Sequence, residues 1–303
     1  MARKDRGLSR SVAAVSYDSR LLPPLERQGH WGKVQSCFPH AINLRLPEGD
    51  LAALVPLEKL NGPGFVCLEW GSLLRLVRED LLVLLVDSVH FLLPGGSSWS
   101  GPPARLIVDL GPARPWRPPP FPLPPPRAAL KNPISVLAGN NRIPSDSLSR
   151  ECVKRGAALI SATRQRDGRQ YEAAFLSLLG LGHGLTPAGD DFLTGALAAG
   201  WWLKGRKTDA FLREESAKLI ARHAGKTTPV SRHFLSAAAQ GVFCEFVYRL
   251  LDAFSGGDEK GIAAWADRIR GWGATSGAWF LHGFASAAQA LAGIGLQKSR
   301  GLR

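Results

Sequence analysis

The chain has 303 residues, 45% of them hydrophobic and 21% charged, which excludes a disordered or low-complexity protein. Lys plus Arg number 38 against 25 Asp plus Glu, a formal net charge of +13. That excess favours anionic substrates or acidic partner subunits. The bases are scattered, with small clusters at 3–4, 164–169 and 298–303 and no basic stripe interleaved with aromatics, so nucleic acid is not the expected partner.

The predicted elements divide the chain in order. Residues 1–29 form an N-terminal arm without the apolar core of a secretory signal. Residues 30–111 read as a β-rich domain. Short apolar or alternating runs at 34–46, 52–56, 64–70, 81–93 and 105–110 are broken by Pro-Glu-Gly-Asp, Asn-Gly-Pro-Gly and Pro-Gly-Gly-Ser-Ser turns. Residues 73–85 offer a short helix as an alternative. This spacing of strands predicts a small barrel or sandwich. Residues 112–144 read as a proline-rich linker or surface wrap, because PWRPPPFPLPPP is stiff and extended.

From 145 to 296 the period turns helical, with helices predicted at 146–162, 170–179, 187–204, 209–223, 229–254, 260–270 and 276–293. In 229–254 the residues Val230, Phe234, Ala237, Ala238, Gly241, Cys244, Val247 and Leu251 keep a helical repeat. Residues 277–296 carry no formal charge and approach membrane length. Their Ala and Gly content, with His282, Ser286 and Gln289, fits a closely packed buried helix better. Residues 297–303 are a basic tail. The fold class is therefore α+β: an N-terminal β-rich barrel or sandwich-like domain followed by a C-terminal all-helical domain. Cys37, Cys67, Cys152 and Cys244 show no metal-ligand spacing and no disulfide framework, as suits buried thiols in a cytoplasmic protein.

The densest stretch is GLGHGLTPAGDDFLTG, residues 180–195. Glycines at 180, 182 and 184 let the backbone take positive φ and approach a ligand. Thr186 reads as an N-cap with Pro187 at the first helical position. Free amides at such a start attract anions. Gly182, Gly184, Leu185, Thr186 and Gly189 are thus candidate phosphate-binding residues. Asp190 and Asp191, candidate catalytic carboxylates, follow in the first turn, and two carboxylates repel a bare phosphate. Either a Mg²⁺ held by Asp190 and Asp191 stands between, or the carboxylates hold the loop together by accepting from its amides. His183 is a candidate donor to phosphate or to a carbamoyl oxygen.

Two later stretches repeat this pattern. Thr227, Thr228 and Ser231 open one helix, again through Thr-Pro, and Thr275, Ser276 and Gly277 open another. The expectation is that all three starts meet on one ligand. Arg222, Lys226 and Arg232 flank the second start and can hold an acidic acceptor or phosphate. Glu245, between Cys244 and Phe246, is a candidate acid or a carboxylate on the solvent edge of its helix.

GLGHGLTPAGDDFLTG resembles the signature of the AllH family. TTPVSRHFLSAAAQGVFCEF and GATSGAWFLHG resemble its second and third blocks in order and spacing, and VQSCFPHAINL resembles a part of its N-terminal region. His183 departs from a proline frequent in that pattern, and Trp279 from an acidic residue. The resemblance implies a subunit of oxamate carbamoyltransferase working with FdrA-like and AllG-like subunits in anaerobic allantoin catabolism. It implies carbamoyl phosphate and oxamate as substrates, with oxalurate and phosphate as products. A non-catalytic assembly subunit, or a related carboxylase or acyl-transfer subunit with another acceptor, is the alternative.

Overall fold

The structure is a computed structural model and describes residues 10–21, 30–38, 40–46, 51–69, 82–86, 106–110, 113–120, 137, 143–203 and 207–292. The chain divides into two compact units, Met1–Pro118 and Pro119–Arg303.

Among the described residues, the first unit is a mixed eight-stranded sheet. Its strands are β1 (Arg10–Asp18), β2 (His30–Phe38), β3 (Ala41–Arg45), β4 (Leu51–Pro56), β5 (Phe65–Leu68), β6 (Leu82–Val86), β7 (Leu106–Asp109) and β8 (Arg114–Trp116). The order β5-β4-β3-β2-β6-β7-β1-β8, with a further β1–β5 pairing, closes seven strands into a ring. β8 continues the β7 edge along β1. Val34, Ile42, Leu44, Leu54, Val66 and Val108 alternate onto one apolar cluster, as the two-residue strand period requires. Every residue of β4 and β5 is buried, so both faces of that pair are covered.

β4 and β5 run parallel although only residues 57–64 separate them. A 3-10 turn at Leu57–Lys59, then Leu60 and Gly64 at φ 60 and 73, reverses the chain in this short span. Asp18, only 2% exposed, fastens the β1–β5 seam. It accepts the Gly64 N–H at 2.9 Å and pairs with the Arg20 guanidinium at 2.7 Å.

The structure corrects the predicted extent of this unit. β1 lies inside the stretch taken as an arm, and β8 inside the proline-rich stretch. The run 34–46 is two antiparallel strands, β2 and β3, because the chain turns between Phe38 and Ala41. The helix alternative at 73–85 falls mostly outside the described residues, and Leu82–Val86 is a strand.

The second unit is helical: α1 (Ser147–Gln165), α2 (Gly168–Leu178), α3 (Ala188–Trp202), α4 (Lys207–His223), α5 (Pro229–Ala239), α6 (Glu245–Gly256), α7 (Glu259–Arg270) and α8 (Ser276–Ala292). Side-chain caps set several starts. Asp146, Asp167, Thr228 and Asp258 accept from Ser149, Gln170, Ser231 and Gly261 at 2.7–3.0 Å, satisfying amides that no helical carbonyl reaches.

The predicted helix 229–254 is two helices, α5 and α6. Gly241 at φ 77 breaks it, and the Tyr248 hydroxyl holds the break by donating to the Gly241 carbonyl at 3.0 Å. A Cβ on Gly241 would also meet the Trp201 ring at 3.0 Å.

α3 is the central helix, and α8 crosses it backbone to backbone. A Cβ on Gly195 would stand 2.0 Å from the Phe280 carbonyl oxygen, and one on Gly283 would stand 2.0 Å from that of Phe192. This reciprocal glycine contact is the reason for the small-residue content of 277–292. None of the described helices is long and apolar enough to cross a membrane. Trp202, Phe254 and Phe284 pack ring to ring beyond the crossing, with centroids 5.2–5.9 Å apart.

Candidate functional site

Three helix openings meet at the N-terminal end of α3. The chain leaves α2 at Leu178 and turns through the glycine loop, with Gly180, Gly182 and Gly184 at φ 75, 130 and 88. Two of these glycines are demanded by the protein's own packing. A Cβ on Gly180 would lie 2.8 Å from the Lys226 carbonyl oxygen, and one on Gly182 would lie 2.6 Å from the Ala188 nitrogen. Gly189 is also required, because its Cβ would stand 2.0 Å from the Leu178 carbonyl oxygen. Gly184 differs: nothing lies within 4 Å of the position its Cβ would take.

Asp190 fastens the loop to the second opening. It is 1% exposed. Its Oδ1 accepts the Gly180 N–H at 2.8 Å and its Oδ2 accepts the Thr227 hydroxyl. The Thr194 hydroxyl donates to the Asp190 carbonyl at 2.8 Å. Thr228 caps α5 and donates its own hydroxyl to the Leu185 carbonyl. The third opening joins through Thr186 and Ser276, whose hydroxyl oxygens are 2.7 Å apart. Gly277 seats the start of α8 on the end of α7, where its Cβ would stand 1.7 Å from the Ile269 carbonyl oxygen. Thr275 is exposed just before it, and its carbonyl accepts from Trp279 at 3.1 Å.

The start of α3 differs from the sequence expectation. Pro187, not Thr186, is the N-cap residue, and no side chain caps the helix. Thr186 is engaged by Ser276 instead. Three of the first-turn amides are engaged. Gly189 donates to Leu181, and both Asp190 and Asp191 donate to Pro187, at 2.8–3.1 Å. Unspent amides remain at the crest of the loop. Among the described residues, the backbone N–H groups of His183, Gly184 and Leu185 donate to no other group, and all three residues are exposed. Successive amides held open by a positive-φ glycine form an anion-binding concavity.

The electrostatics separate the two aspartates. Burial raises the Asp190 pKa, while the Thr227 hydroxyl and Gly180 amide oppose that rise. The Ser231 hydroxyl, enclosed and short of hydrogen-bond geometry, opposes it too. Burial drives Asp191 well above the usual carboxylate range. The hydroxyls of Ser276 and Thr186 pull it back, and the neighbouring Asp190 charge pushes it further up. Its Oδ2 is enclosed without a hydrogen-bond partner in the chain. Asp191 is therefore the more strongly raised of the pair. On the α1 side of the aspartates, burial pushes the Cys152 thiol up to about 12, so it is no nucleophile at neutral pH.

The junction thus gathers Gly182, His183, Gly184, Leu185, Thr186, Gly189, Asp190, Asp191, Thr227, Thr228, Ser231, Ser276 and Gly277, with Thr275 at its rim. Arg222, Lys226 and Arg232 are exposed around the second opening. Glu245 heads α6 and forms an ion pair with Arg249 at 2.9 Å. Sequence reasoning missed two supports. Thr194 was legible as a hydroxyl one turn after Asp190. Arg155 was not: it reaches from α1 to the Ser177 carbonyl in the last turn of α2, at 2.5 Å, across 22 residues of sequence.

The fold and this junction define an α+β protein with a closed mixed-sheet unit and a helical unit whose helix openings converge. Residues 178–288, which span the whole junction, match the family model described as oxamate carbamoyltransferase subunit AllH. Residues 13–92 match the model of the AllH family N-terminal domain. The chain belongs to the AllH family. No solved structure matches it.

Proposed function

We propose that the chain is a subunit of a cytoplasmic complex that transfers a carbamoyl group between carbamoyl phosphate and oxamate, in allantoin catabolism. FdrA-like and AllG-like subunits complete the complex. The observation that carries this reading is the crest of unspent amides at His183, Gly184 and Leu185, held in place by three converging helix openings. Carbamoyl transfer calls for a seat for phosphate charge and for donors aimed at the carbonyl oxygen as negative charge develops on it. The crest amides and the His183 imidazole supply donors for that oxygen and for the phosphate. The hydroxyls of Thr186, Thr228 and Ser276 line the same junction. Arg222, Lys226 and Arg232 hold the carboxylate of the acceptor.

The test has two halves. Calorimetric titration of the purified chain with carbamoyl phosphate should give binding at one site, with little or no turnover. Adding the FdrA-like and AllG-like subunits should then yield phosphate and oxalurate together. Absence of binding by the chain, with full activity of a complex carrying crest substitutions, would transfer the reading to a non-catalytic assembly subunit.

A further inference from the structure

The aspartate pair beside the crest invites a divalent cation, and its surroundings do not fit one. Mg²⁺ demands near-octahedral oxygen ligands and keeps several of its waters, usually binding one or two carboxylates together with substrate phosphates. Asp190 meets none of these conditions. It is 1% exposed, and each of its oxygens already accepts a hydrogen bond whose hydrogen points at it, from Gly180 on one side and Thr227 on the other. Asp191 presents an Oδ2 enclosed by protein, where a hydrated ion has no room. Among the described residues no three His, Cys, Asp or Glu side chains stand together as metal ligands.

What Asp190 does instead follows from what it joins. Gly180 begins the loop, and Thr227 precedes the cap of α5. The loop backbone is pressed against that opening, as the 2.8 Å between a Gly180 Cβ and the Lys226 carbonyl oxygen shows. One carboxylate therefore fixes the separation between loop and opening, and with it the direction of the crest amides. Ser231, 2% exposed in the first turn of α5, turns its hydroxyl toward the same carboxylate.

We propose that Asp190 is a positioning residue, not a metal ligand. By tying Gly180 to Thr227 it holds the His183–Leu185 amides in register to seat a phosphate-type anion without a divalent cation. The anion is held by backbone amides, hydroxyls and the His183 imidazole. This rests on the reading of the junction as the anion site, and the experiment separates the two.

The probe is inorganic phosphate, titrated calorimetrically into the full chain in EDTA and again in excess Mg²⁺. The expected dissociation constants agree within twofold. Asp190→Asn, which can accept only one of the two hydrogen bonds, should weaken phosphate at least tenfold in both buffers. Should that variant fold poorly, Thr227 supplies the second probe. Thr227→Val should stay folded at a lowered thermal midpoint and lose affinity, and Thr227→Ser, which restores the hydroxyl, should recover both. A Mg²⁺-dependent gain in wild-type affinity that vanishes in Asp190→Asn would overturn the inference and leave the anion site standing. Wild-type affinity in Thr227→Val would overturn it as well. No phosphate binding in either buffer would remove the anion site, and the inference with it.

Discussion

The Thr186 hydroxyl lies 2.7 Å from the Ser276 hydroxyl, although the two residues are 90 apart in sequence. This bond couples the glycine loop to the start of α8, and both hydroxyls face the Asp191 carboxyl. Removing it with Thr186→Val should cost about 1 kcal/mol of stability, the ordinary worth of one hydrogen bond. Anion affinity should fall more than that small loss implies, because Thr186 follows the crest directly. Denaturant unfolding and phosphate titration of the same variant give the comparison. Equal affinity at reduced stability would leave the bond a structural role only.

The glycines of the two motifs should respond in opposite ways. Gly283→Ala drives a Cβ to 2.0 Å from the Phe192 carbonyl oxygen, where backbone meets backbone and nothing flexible can yield. A loss of about 1–3 kcal/mol or more is expected, as for other overpacked sites. Gly184→Ala meets no atom and suffers only from its φ of 88, a cost of about 1–2 kcal/mol. Its fold should survive with the crest amides turned away and anion binding lost. Midpoints from urea titration and binding isotherms check both.

Asp191 gives the fold a pH dependence of defined sign. Its folded pKa is raised above the reference 3.8 by burial first. Between those two values the folded chain keeps a proton that the unfolded chain releases. Stability therefore falls as pH rises through that window, by at most about 1.4 kcal/mol per pH unit, and levels off above the folded value. Asp191→Asn, which cannot ionise, should remove this part of the slope. A variant whose stability falls as steeply as wild type would assign the slope elsewhere, and Asp190 is the next group to test.

Much of the helical unit was legible because its signals are local. Asp146 and Thr228 announce their helices by capping them, and the apolar period fixes the buried faces. What was not legible depends on distant partners. The break at Gly241 hides inside an unbroken apolar period, and only the Tyr248 hydroxyl and Trp201 ring explain it. The start of α3 lies one residue later than expected, and the Thr186 hydroxyl meets Ser276 instead of capping it. The partners of Asp190 at Gly180 and Thr227 lie on either side of it in sequence, and nothing in the motif separates a metal ligand from a carboxylate that clasps a loop. In the sheet unit, β1 and β8 pair with strands far along the chain. β8 contains Pro115, which lowers its strand signal.

The central claim is that carbamoyl phosphate sits on the loop crest of this chain, and amide chemical shifts read that contact directly. Titrating the isotopically labelled chain with carbamoyl phosphate should move the His183, Gly184 and Leu185 amides first and furthest. Thr186 and Ser276 should follow, and the β-sheet amides should not move. Shifts confined to other surfaces, with the crest amides unchanged at saturation, would contradict the account.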